Sequence, residues 1–86
     1  MRKTDAKTLK SCLPQWLREH GLPLHKPFAC LNPAHQDAHP SMGYNEKNQT
    51  VHCFACGATY DVFDLVGQEE NLTAFPSKMK AVNRRY

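Results

Sequence analysis

Residues 30–57 read CLNPAHQDAHPSMGYNEKNQTVHCFACG, and this stretch decides how the chain folds. Cys30 and His35 stand at its start, Cys53 and Cys56 at its end. Two pairs of soft or borderline-soft donors are separated by a segment long enough for a β-hairpin. Tetrahedral zinc is held in small proteins by ligand pairs of this kind. Between the pairs, Ser41–Asn45 and Thr50–Phe54 read as strands, and the polar run 45–49 as the turn joining them. Alternation puts Val51 and Cys53 on one face of the second strand and Thr50, His52 and Phe54 on the other.

The knuckle Cys53-x-x-Cys56-Gly57 lets two thiolates reach one ion from a tight turn, and the glycine permits a left-handed backbone there. The first pair is wider, Cys30-x4-His35. His25, His39 and His52 compete for the nitrogen position. His52 is the poorest of these, because it neighbours Cys53 on a strand and points to the opposite face. His39 requires a larger loop, and His25 precedes the entering strand, so His35 is preferred. Cys30, His35, Cys53 and Cys56 then fill all four positions of one zinc, which makes the site structural. A catalytic zinc keeps a position open. The spacing of His35 and Asp37 resembles the His-x-Glu element of zinc deaminases only loosely, and their Pro-Cys-x-x-Cys element is missing.

The chain has 86 residues, so it is expected to be a single domain with a small core that needs a staple. Four cysteines fit either two disulfides or a metal. The N-terminus has basic residues but no apolar run after them, so no signal peptide is expected, and no stretch is long enough to span a membrane. A cytoplasmic location and a metal follow as expectations. The formal charge is +3, from 11 basic and 8 acidic residues. Basic residues crowd both ends: Arg2, Lys3, Lys7 and Lys10, then Lys78, Lys80, Arg84 and Arg85. Solvated helix faces account for such clusters; a phosphate-binding patch is the alternative.

Three segments are expected. In 1–22, Leu9, Cys12, Leu13, Trp16 and Leu17 have helical spacing, broken at Pro14, so a helix from Leu13 to His20 stopped at Gly21 fits best. Cys12 belongs to its apolar side. The ribbon occupies 26–57. In 60–86, Asp61 caps a helix bearing Val62, Phe63, Leu65 and Val66, with Gly67 as a possible end. A last helix starts near Thr73 with Pro76 in its first turn and Phe75, Met79 and Val82 on one face. The fold class is small α+β: a zinc ribbon, with a short antiparallel sheet holding one zinc, flanked by three short helices.

The run from His35 through Pro40-Ser41-Met42, then His52-Cys53-Phe54-Ala-Cys56-Gly57-Ala58 and Asp61-Val-Phe-Asp64-Leu-Val, resembles the CHC2-type zinc-binding domain of bacterial and phage DnaG-like DNA primases. The resemblance spans about Phe28 to Val82. Two departures stand out. The family's first cysteine falls on Asn32, two residues after Cys30, so either the first knuckle is expanded or another donor, Cys12 behind Cys30, completes the site. Thr59-Tyr60 replaces the glycine the family often has before its aspartate. The resemblance implies a non-catalytic, bacterial or mobile-element module that binds single-stranded template DNA in primer synthesis. Primer bonds would be made by a separate domain, because no Glu-Gly…Asp-x-Asp constellation is present. Tyr44, His52 and Phe54 are candidates for base stacking, and Lys26, Lys47, Asn45 and Asn48 for phosphate or base-edge contacts. The alternative is a ribbon that docks on a helicase, a polymerase or a catalytic primase domain.

Overall fold

The computed structural model describes residues 6–32 and 40–86. Its centre is a three-stranded antiparallel meander: β1 (Met42–Asn45), β2 (Thr50–Cys53) and β3 (Thr59–Tyr60), in the order β1-β2-β3. The register pairs Met42 with Cys53, Gly43 with His52, Tyr44 with Val51, and Asn45 with Thr50; on the other edge Val51 faces Tyr60 and His52 faces Thr59. The entering segment contributes a single bridge, Phe28 to Met42.

The hairpin forms because its turn chemistry is local. Asn45 Oδ1 accepts from the backbone N–H of Lys47 at 2.9 Å and of Asn48 at 3.3 Å, so the side chain itself closes the turn. Gln49 completes it with φ 53°. Phe54 follows the end of β2, and its N–H bonds to Ser41 O at 2.9 Å, which extends the pairing past the strand.

Among the described residues, four helices surround the sheet: α1 (Ala6–Lys10), α2 (Leu13–Glu19), α3 (Val62–Glu70) and α4 (Phe75–Arg85). The turn α1 is additional to the three helices expected; α2 begins at Leu13 with Pro14 in its first turn, where the missing N–H costs nothing. Asp61 caps α3 through a reciprocal capping box: Asp64 N donates to Asp61 Oδ1 at 2.9 Å, and Asp61 N donates to Asp64 Oδ2 at 3.0 Å. The helix runs through Gly67 and stops at Asn71, in the left-handed region at φ 56°. Gly67 is therefore interior to α3. Tyr60, where a family glycine was missing, adopts ordinary strand geometry.

One apolar cluster joins all these elements. Leu9, Leu13, Trp16 and Leu17 meet Val62, Phe63, Leu65, Val66, Ala81 and Val82, and the sheet adds Phe28, Met42, Val51 and Cys53. Cys12 is buried at the start of α2, at the margin of this cluster. Across it, α1 packs on both α3 and α4. At the rim Trp16 stacks on His20 with centroids 3.7 Å apart, and both donate to or pair with Glu69: Trp16 Nε1 to Oε1 at 3.0 Å, His20 Nε2 to Oε2 at 2.6 Å. Arg85 reaches Glu69 at 2.7 Å and Glu70 at 3.0 Å, and Arg84 reaches Glu70 at 2.8 Å.

Candidate functional site

Three sulfurs converge at one end of the sheet. Cys53 ends β2 and is fully buried, Cys56 stands in the exposed turn after it, and Cys30 arrives from the segment behind the Phe28 bridge. Their Sγ atoms all lie within 4.8 Å of one another, and Cys30 and Cys56 are 3.6 Å apart. Zinc–sulfur bonds of ~2.3 Å in a tetrahedron separate sulfurs by about 3.8 Å, so this trio fits one face of a zinc site.

The knuckle is built by the backbone. Gly57 N donates to Cys53 O at 2.8 Å and Cys53 N to Ala58 O at 2.8 Å. Gly57 takes φ 81°, where a side chain would be strained. The segment before the sheet carries the two-residue offset. Asn32, at the family's cysteine position, turns its backbone N–H to Cys30 Sγ at 3.4 Å and its amide to Cys56 Sγ at 3.9 Å. Cys30 brings its sulfur to the cluster, and Asn32 places its donors at two of the three sulfurs. Cys12 lies apart from this cluster.

The same contacts set the thiol acidities. The backbone N–H of Ala58 at its sulfur, helped by Cys30, Cys53 and Asn32 against partial desolvation, brings Cys56 down to about 7. Cys30 is pushed up to about 11, by burial first and then by the neighbouring sulfurs, against the Asn32 N–H. A zinc held here would take these sulfurs as thiolates, in place of their protons. His35 and His39 lie outside the described residues. His25 is exposed, and His52 is bonded through Nδ1 to Thr59 Oγ1 at 2.7 Å; among the described residues neither joins the sulfur cluster.

Beside the metal end, the solvent face of the hairpin forms a groove of about 520 Å³. Its walls include Tyr44, Asn45, Lys47, Asn48, His52 and Phe54, together with Glu46, Thr50 and Thr59. Phe54 is 81% exposed, and its ring meets His52 edge-on, centroids 4.9 Å apart at 77°. Gly43, cross-strand from His52, leaves the floor open; a Cβ built there meets nothing within 4 Å. Six of the seven candidate contact residues therefore gather here. The seventh, Lys26, is exposed on the connector before Phe28 and does not line this groove. Of these six, Tyr44 borders the groove only from its edge: the register pairs it with buried Val51, and its hydroxyl donates to Gln49 Oε1 at 3.0 Å. Sequence reasoning overlooked Thr59 and Gly43. The His-x-Phe alternation in β2 points to this face, but cross-strand partners depend on register.

Sheet, knuckle and sulfur cluster define a small zinc ribbon. The chain belongs to the CHC2 zinc finger family, the zinc ribbon of DnaG-type primases, whose pattern matches residues 21–86. It is similar to the DNA primase of Campylobacter jejuni, with 44% identity over 46 residues, which is 54% of this chain and 8% of that protein. The chain thus corresponds to a small part of that primase. No solved structure matches it. With three thiols in one place and the family established, this is a primase-type zinc-binding module holding one zinc. Among the described residues, no helix is long and apolar enough to cross a membrane.

Proposed function

We propose that this module binds single-stranded DNA template across the hairpin groove and serves primer synthesis without making bonds itself. Cys30, Cys53, Cys56 and His35 hold the zinc, which fixes β2 and thereby the angle of the His52–Phe54 pair. The observation that carries the proposal is the exposed Phe54 ring, braced edge-on by His52 over the open floor at Gly43, with Lys47 and Asn48 at the hairpin tip. A phenylalanine this exposed adds little to the core. A rigid aromatic face beside a cation suits a base stacked next to its phosphate.

Anisotropy of a labelled 12-mer oligonucleotide with the zinc-loaded protein tests this at two salt concentrations. Affinity should fall as salt rises. Phe54→Ala should weaken binding by roughly 5–150-fold, the cost of ~1–3 kcal/mol for one stacked base. Binding that is undetectable at low salt, or unchanged in Phe54→Ala, refutes the proposal. The alternative reading, a ribbon that docks on a helicase, a polymerase or a catalytic primase domain, is supported by the groove between α1 and α4, where Leu9, Pro76 and Met79 lie beside Lys80 and Asn83.

A further inference from the structure

A second groove, of about 530 Å³, adjoins the first. It runs between β3, the C-terminal half of α3 and the corner leading into α4. Its polar lining is Thr59, Asp64, Gln68, Asn71, Thr73 and Lys78, with Tyr60 and Leu72 as its larger apolar surfaces. Thr59 lines both grooves, and its hydroxyl is already bonded to His52 Nδ1 at 2.7 Å. The two grooves therefore meet at the ring that braces Phe54.

The cation in this second groove is set apart from the other basic residues of α4. Arg84 and Arg85 are engaged by Glu70 and Glu69. Lys80 lines the opposite groove, between α1 and α4. Lys78 makes no ion pair among the described residues, and its stem lies over α3 at Gly67. A Cβ built on Gly67 would come within 2.8 Å of Lys78 Cε, 3.1 Å of Cδ and 3.2 Å of Cγ. A glycine inside a helix is unfavourable relative to alanine. Here its bare backbone gives the lysine stem a track to lie in, which limits the rotamers open to the ammonium. The groove's one carboxylate, Asp64, is turned to the cap of α3, where its Oδ2 accepts from Asp61 N at 3.0 Å. Amides, hydroxyls and one pre-positioned cation are the donors that a nucleic-acid backbone requires.

We infer that single-stranded DNA continues from the hairpin groove across Thr59 into the α3–α4 corner, where Lys78 holds a backbone phosphate. This extends the DNA-binding function proposed above and rests on it. The hairpin groove takes the stacked base, and the corner takes the sugar-phosphate chain a few nucleotides away. The ligand class is single-stranded polynucleotide longer than the hairpin groove alone accommodates. Because the corner contact is to phosphate, it adds affinity and no base preference.

The test uses the zinc-loaded full chain, labelled dT4 and dT12, and a salt series. Four nucleotides are near the lower limit of a single-strand site, so dT4 occupies the hairpin groove alone. Lys78→Gln keeps the first two methylenes of the stem over Gly67 and removes the charge; Lys78→Arg keeps the charge. For dT12, Lys78→Gln should weaken binding several-fold and lower the slope of log K against log salt by about 0.7, the value for one phosphate on a single strand. Lys78→Arg should restore the slope, and dT4 should not distinguish the three proteins. Zinc content and melting temperature, measured in parallel, report the fold. If Phe54→Ala weakens both oligonucleotides while Lys78→Gln changes neither affinity nor slope, the corner contact is overturned and the hairpin function stands. Equal losses on dT4 and dT12 in Lys78→Gln also overturn it, because the lysine would then act at the hairpin. If Phe54→Ala and Lys78→Gln both bind like the parent, the DNA-binding proposal itself fails, and the extension with it.

Discussion

Glu69 is the point at which three helices are tied together, and its replacement gives a quantitative test. Trp16 is only 4% exposed, and its indole N–H ends on Glu69 Oε1 at 3.0 Å. Glu69→Ala leaves that donor without its partner, which costs about 1–3 kcal/mol for a buried polar group. The ion pair with Arg85 adds little, about 0–1 kcal/mol, because both side chains are roughly a third exposed and solvent screens them. Glu69→Gln retains an acceptor for the indole and loses only the charge, so it should cost less than about 1 kcal/mol. Whole-domain stability at this length is on the order of 4–13 kcal/mol, so the alanine variant removes a readable share. Trp16 is the chain's one tryptophan, and its emission follows this site directly in a urea titration. Glutamine and alanine variants of equal stability, or an alanine variant within about 0.5 kcal/mol of the parent, would refute the reasoning, since the indole bond would then carry nothing. The pH dependence follows from the same contacts. Burial pushes the Glu69 carboxyl up, but the Arg85, Trp16 and His20 bonds outweigh it and hold it below its usual range. Stability from a depressed carboxylate is present in full above the ordinary glutamate value of ~4.3 and is lost as pH falls through the folded value. The gap between parent and Glu69→Gln should therefore be constant at neutral pH and close on the acid side.

Further outcomes are expected elsewhere. Cys30→Ser should lose zinc and unfold, because the site contributes folding energy, whereas Cys12→Ser should keep a full equivalent by metal analysis. Gly43→Val should retain or raise the melting temperature, since its side chain enters open space on a strand, yet it should obstruct the groove and weaken oligonucleotide binding. Asp61→Ala breaks the capping box of α3 and should cost about 0.5–2 kcal/mol in denaturant titration.

Much of this arrangement was legible because it is local. The hairpin turn depends on Asn45 and its next three residues, the α3 start on Asp61 and Asp64, and the knuckle on Cys53 to Gly57. What escaped depends on distant partners. The turn α1 is too short to hold itself as a helix and exists because Leu9 packs on α3 and α4. Gly67 looks like a helix stop until Lys78, eleven residues on, is seen lying across it. Spacing left the Cys30 offset open, because the proximity of its sulfur to Cys53 and Cys56, and the Asn32 donors beside it, depend on the path of a segment distant in sequence from the knuckle. The side of β1 that Tyr44 occupies follows from its pairing with Val51, which register decides and composition does not. The Glu69 network joins residues 16, 20, 69 and 85, and no local pattern signals it.

The packing of α1 on α4 has a mechanical consequence. The first and last helices touch, and Tyr86 also bonds to Glu19 at 2.8 Å, so the ribbon is an excursion that leaves and re-enters a closed helical collar. Tension applied between residues 6 and 86 would load the collar before any strand. The zinc end would be shielded from stretching until the collar tears, and the rupture force should be set by the unfolding barrier of the helices rather than by the metal–sulfur bonds.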